Sequence, residues 1–116
     1  MKKIIAMLVT LFACVTSFNA VAGNAEAGKA AVQKANCAAC HGADFNSPVD
    51  PSYPKLAGQH ADYLEHALVA YQRGGKAANG RGNAIMGGMA KPLTPVEIKD
   101  IAAYISSLPG TLVLRK

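Results

Sequence analysis

The sequence is poor in large aromatic side chains: across 116 residues there is no Trp, and four Tyr with three Phe make up only 6% of the chain. A core built from side chains alone is therefore short of bulk, and a domain this small usually needs a staple such as a disulfide, a metal or a cofactor. Acidic residues are also scarce, seven against twelve basic ones. The three Arg are scattered, however, so the surplus is thin for a nucleic-acid binder, and nucleic acid is not an expected partner. Cysteine is limited to three residues. No internal repeat, low-complexity tract or interdomain linker is visible. The length allows one domain and leaves no room for a dinucleotide fold with a separate substrate domain.

What is there begins with the first 22 residues. Lys2 and Lys3 precede an apolar run from Ile4 to Val15, and Ala20-Val21-Ala22 supplies small residues. This is the pattern of a secretory signal peptide. A membrane anchor would need roughly 20 predominantly apolar residues, and Thr10, Thr16, Ser17 and Asn19 interrupt the stretch. Leu11-Phe12-Ala13-Cys14 matches a lipidation box only loosely. Cleavage after Ala22 leaves residues 23–116 as one domain with net charge +3, without Cys14, Phe12 or Phe18 and without a membrane span. The expected destination is an oxidising compartment, in a bacterium the periplasm.

Helical signals organise this domain. Asn24 can cap an Ala-rich helix that closes near Asn36. From Gly42 to Gly58, Pro48, Pro51 and Pro54 among turn residues mark a long loop. Tyr63, Leu64, Ala67, Leu68 and Tyr71 then recur at the spacing of one helical face, starting near His60 and ending at Gly74-Gly75. The segment Lys76 to Lys91, with four more Gly and two Asn, predicts a second long loop that carries Ile85, Met86 and Met89. Thr94-Pro95-Val96-Glu97 announces the last helix with a capping box and an N-terminal proline. Its apolar face is Ile98, Ile101, Ala102, Ile105 and Leu108, and Pro109-Gly110 stops it. Nothing alternates at period two, so the class is all-α: three main helices and two long loops.

With the signal removed, the two remaining cysteines stand in Cys37-Ala38-Ala39-Cys40-His41. C-x-x-C-H is the attachment motif of c-type haem. Two thiols on one turn can each add across a porphyrin vinyl group, and the adjacent imidazole can reach the iron from the same side. A thioredoxin-like pair would follow a strand, and none is visible. A structural zinc site would need a fourth ligand, with His60, His66 or a carboxylate on offer. A disulfide across four residues would close too small a loop to stabilise much. One covalently bound haem c also answers the poor core, because the Ala-rich helices and both loops can wrap it.

His41 provides one axial ligand. Met86 and Met89 are the methionines left for the other side; a thioether sulfur favours reduced iron and raises the potential. They are three residues apart in the predicted loop, so one of them is expected to face the iron. His60 and His66 sit on the second helix, away from that loop.

Cys37-Ala38-Ala39-Cys40-His41-Gly42, Tyr53-Pro54-Lys55-Leu56-Ala57-Gly58-Gln59, Met86-Gly87-Gly88-Met89-Ala90, Leu93-Thr94 and Ala102-Ala103-Tyr104-Ile105 follow one another. In that order they resemble the short bacterial monohaem class I c-type cytochromes. The resemblance implies the class I cytochrome c fold and Met86 as the sixth ligand, seven residues before Leu93. It makes Tyr53, Leu56 and Met89 pocket residues and gives the Pro54 carbonyl to the outer nitrogen of His41. It also implies a close crossing of first and last helices, with Gly28, Ile101 and Tyr104 the candidates. The implied function is a non-enzymatic, periplasmic one-electron carrier in a respiratory or similar chain, monomeric or weakly dimeric, exchanging electrons with redox partner proteins. Lys55, Arg73, Lys76, Arg81 and Lys91 could form a positive docking rim, and haem propionates would offset part of the +3. The alternatives are an electron-accepting subunit of a dehydrogenase complex and a five-coordinate haem protein binding a small ligand.

Overall fold

The computed structural model describes residues 22–113; the expected export signal lies, up to Val21, outside the described residues. Five helices follow in order: α1 (Ala25–Lys34), α2 (Ala38–His41), α3 (Ala61–Arg73), α4 (Ala84–Ala90) and α5 (Pro95–Ser107). The described residues contain no strand. None of their helices is long and apolar enough to cross a membrane. The all-α expectation holds.

α1 starts where Asn24 Oδ1 accepts the Ala27 amide at 3.1 Å. It ends in a Schellman turn, with the Asn36 amide donating to Gln33 O and the Cys37 amide to Val32 O, both at 3.1 Å. Asn36 makes that turn at φ 56°, a left-handed conformation that Asn tolerates better than most residues. The turn delivers Cys37 into the single turn of α2. α5 has the expected capping box: Glu97 N donates to Thr94 Oγ1 at 3.1 Å and Thr94 N to Glu97 Oε2 at 2.9 Å.

α1 crosses α5 at very close range. A Cβ placed on Gly28 would lie 1.9 Å from the Asp100 carbonyl oxygen and 2.8 Å from Tyr104 Cβ, so only glycine permits this approach. α3 packs on α5 from another side. Val32, Leu64, Ile101, Ala102 and Ile105 form the buried seam together with Ala57 and Phe45 from the proline-rich loop. Phe45 is 1% exposed and meets Tyr104 edge-on at 6.3 Å between centroids. Its carbonyl accepts the Leu56 and Ala57 amides at 2.8 and 2.9 Å. One aromatic residue near the start of the loop thus packs on Tyr104 of α5 while its carbonyl gathers the loop's far end.

The segment expected as a second loop is partly helical. α4 occupies Ala84–Ala90 because Asn83 caps it, accepting the Met86 amide at 2.9 Å, and because it docks on α3. Gly87 and Gly88, poor helix formers, hide it from a propensity reading.

Candidate haem site

The core seam stops short of the space between the Gly42–Gly58 loop, α3, α4 and α5, where a cavity of about 510 Å³ remains. That volume lies within the range of small-molecule and cofactor pockets, roughly 300–1,000 Å³. Leu56, Leu64, Leu68, Ile101 and Ile105 give it apolar walls, and Cys37, Cys40, His41, Met86 and Met89 all line it.

The Schellman turn and α2 bring the two thiols and the imidazole to one edge of this space. Cys37 and Cys40 are free and half-buried. Burial raises the pKa of Cys37, and the neighbouring Cys40 adds to the effect. This is the reverse of the thiolate-stabilising environment of a redox C-x-x-C pair. Gly42 leaves α2 at φ 85°, and a side chain there would collide with the Ser47 carbonyl. Asp44 then accepts the Asn46 and Ser47 amides at 2.9 and 2.8 Å, folding the loop back so that Pro54 faces the histidine.

His41 is 6% exposed, the one buried polar residue among those described. Its Nδ1 lies 2.9 Å from the Pro54 carbonyl oxygen. A carbonyl only accepts, so Nδ1 carries the proton and Nε2 keeps its lone pair. Tyr53 tilts beside the ring at 6.3 Å and lines the cavity with Pro54 and Leu56.

α4 places Met86 and Met89 on the same wall. A loop was expected to turn one of them inward, but residues three apart on a helix share a face, and both line the cavity. They differ in exposure: Met89 is 37% accessible at the rim, whereas Met86 is half-buried. His60 and His66 are exposed and outside the cavity lining. His66 Nδ1 turns to the Asp62 carbonyl at 2.7 Å. Among the described residues, no group of three or more His, Cys, Asp or Glu side chains is placed to hold a metal ion directly. The zinc alternative therefore lacks a ligand set there.

The sequence places Tyr63 and Tyr71 on one helical face and Arg81 on the rim, but not the stack they form at the cavity wall. Tyr63 and Tyr71, two turns apart on α3, flank the Arg81 guanidinium at 5.4 and 5.6 Å, within cation–π range. Arg81 also donates to the Tyr63 hydroxyl at 3.1 Å. Tyr63 first, then Tyr71, raise its pKa, and the guanidinium is a fixed positive charge at the cavity wall. Of the other residues expected on a positive rim, Lys55 lines the cavity, while Arg73, Lys76 and Lys91 are exposed outside its lining.

The residues suit a covalent haem on three counts. The polypeptide leaves an apolar cavity beside its own core, and two protonatable thiols stand at one edge of it. A buried imidazole with its outer nitrogen already engaged offers the inner one. Comparison with known proteins agrees. Residues 25–109 match the family model described as Cytochrome c. The chain is 43% identical over 115 residues to cytochrome c4 of Stutzerimonas stutzeri, covering 96% of this chain and 52% of that one. It is 44% identical over 86 residues to cytochrome c-554(548) of Halomonas halodenitrificans, covering 74% of this chain and 98% of that one. It superposes with a TM-score of 0.68 and 44% identity on the crystal structure of reduced recombinant cytochrome c4 from Pseudomonas stutzeri, over 78% of this chain and 48% of the other. The chain thus spans about half the length of the cytochrome c4 relatives it matches. The fold, the cavity and these likenesses agree that the chain belongs to the cytochrome c family.

Proposed function

We propose that the chain is a periplasmic one-electron carrier with one haem c, attached through Cys37 and Cys40 and ligated by His41 and Met86. The observation that carries this reading is the convergence of two thiols, a tautomer-fixed imidazole and two thioethers on one apolar cavity. The single C-x-x-C-H in 116 residues accounts for one haem. When bound, the haem supplies a ferric/ferrous couple that exchanges one electron with a partner protein.

The chain's own groups do the rest. Cys37 and Cys40 would hold the haem covalently, each thiol supplying both its sulfur and its proton, so attachment would need no external oxidant. The Pro54 carbonyl holds the Nδ1 proton of His41, fixes the ring's orientation and raises the basicity of Nε2. Met86 offers a neutral, soft sulfur that favours the reduced state. It is preferred to Met89 because it is more buried and its own amide is fixed by Asn83. Leu56, Leu64, Leu68, Ile101 and Ile105 keep water out. His41 and Met86 would both hold the haem iron, and a haem held by two side chains would supply electron exchange rather than a substrate site. Lys55 and Arg81 give the cavity a cationic edge suited to an acidic redox partner.

An absorption spectrum of the oxidised protein tests the ligand set. The weak far-red band of sulfur ligation to ferric iron is expected in the wild type and in Met89→Ala and lost in Met86→Ala. Its absence from the wild type, or its loss in Met89→Ala alone, contradicts the assignment.

A further inference from the structure

α4 is poorly equipped to hold itself in place. It has seven residues, where an isolated helix needs about 12–15 to be even marginally stable. Two of the seven are glycines, which weaken a helix relative to alanine. Neither is demanded by close packing within the polypeptide. A Cβ on Gly88 would meet nothing within 4 Å, and one on Gly87 would first reach the Tyr71 carbonyl at 3.8 Å. Yet this segment carries Met86.

Two side-chain amides pin it. At its start, Asn83 accepts the Met86 amide. At its end, Gln72 on α3 reaches across and donates from Nε2 to the Ala90 carbonyl at 2.9 Å and to the Leu93 carbonyl at 2.8 Å. A primary amide nitrogen has two protons, so both are used, in a part-buried setting. Ala90 is fully buried, and its carbonyl is one of the four that a helix C-terminus leaves without an intrahelical donor. Leu93 directly precedes Thr94, the cap of α5. One side chain therefore joins α3, the end of α4 and the entry to α5. Gln72 is absent from the cavity lining, so it acts on the site through the backbone it holds, at the end of α4 and at Leu93.

We propose that Gln72 is a positioning residue: its two hydrogen bonds clamp α4 to α3 and so set how readily Met86 leaves the iron. The second half rests on the reading of Met86 as sixth ligand. Losing both bonds would strand two carbonyls and raise the open population of α4 by roughly ten- to thirtyfold.

The test uses the holoprotein as wild type, Gln72→Leu, Gly88→Ala and the double variant, with amide hydrogen exchange and imidazole binding to the ferric form as readouts. Gln72→Leu should speed exchange across residues 86–93 and tighten apparent imidazole binding by about the same factor, with α1 and α5 exchange unchanged. Gly88→Ala, which adds helix propensity into open space, should move both readouts the other way by severalfold and partly rescue the double variant. Where Gln72→Leu alone fails to fold, the double variant set against Gly88→Ala makes the same comparison in the more stable background. Unchanged α4 exchange, uniform acceleration throughout the molecule, or faster local exchange with unchanged imidazole affinity overturns the proposal. A wild type that lacks the far-red band instead overturns the Met86 reading, and exchange alone then decides the clamp.

Discussion

Gly28→Ala places a methyl group where α5 already has backbone. The new Cβ would lie 1.9 Å from the Asp100 carbonyl oxygen and 2.5 Å from its carbon, and ordinary contact begins near 3.4 Å. The helices must separate by roughly 1.5 Å at that point, because a backbone carbonyl within a helix cannot rotate away like a side chain. Separation also pulls at the bond from the Asn24 amide to Asp100 Oδ1, 2.7 Å long, and at Val32 in the core seam. Overpacking of this kind costs about 3 kcal/mol at the upper end of the usual range, and the gain in helix propensity returns about 1 kcal/mol. A net loss of about 2 kcal/mol lowers Tm by roughly 8–16 °C in a domain of this size. Gly88→Ala is the matched control: the same chemical change in another helix, with nothing within 4 Å of the new atom, should raise Tm by up to about 8 °C. Thermal unfolding of the oxidised holoprotein followed by far-ultraviolet circular dichroism measures both. A Gly28→Ala variant as stable as the wild type, or two variants shifting in the same direction, refutes the close-crossing account.

Acid should destabilise the protein through specific carboxylates. The Asn46 amide foremost lowers the pKa of Asp44, the Ser52 hydroxyl that of Asp50 and the Thr94 amide that of Glu97. A group depressed in the folded state stabilises above its unfolded value, about pH 4 for carboxylates, and that contribution is lost as pH falls through the folded value. Tm should therefore stay flat from about pH 7 to 5 and decline below about 4; a rise on acidification contradicts this. Thr94→Ala, which removes half of the capping box, should cost about 1 kcal/mol. Lys34→Met removes an ion pair of 3.4 Å whose lysine is 82% exposed, so it should change stability by less than about 0.5 kcal/mol. Urea unfolding midpoints rank the two, and a reversed order would show the ion pair to matter more than its exposure allows.

Much of the architecture could be read along the chain because its determinants are local. Thr94 to Glu97 is a four-residue pattern, α3 and α5 carry their apolar faces at helical spacing, and Cys37 to His41 lie on one turn. The close α1–α5 crossing was anticipated through the resemblance to class I cytochromes, which made Gly28 a candidate for the contact, and the Asp100 carbonyl beside it supplies the steric reason. α4 was not legible, because its glycines argue against a helix and the amide that clamps its end comes from Gln72, 18 residues before Ala90. Phe45 carried no local mark of burial, as nothing in a proline-rich segment says which residue turns inward. The Arg81 stack needed Tyr63 and Tyr71 on one face of α3 and a return of the chain from the Gly74 turn, visible only once the fold is known.

The most direct test of the account is whether haem is held covalently at Cys37 and Cys40. The mature protein, matured in an export-competent host, would be denatured in acid, digested and examined by mass spectrometry, alongside a pyridine haemochrome spectrum. The account predicts one haem retained on the peptide containing Cys37–His41 and the spectrum of two saturated thioether bonds; haem that dissociates on denaturation, or both thiols recovered unmodified from the coloured protein, would contradict it.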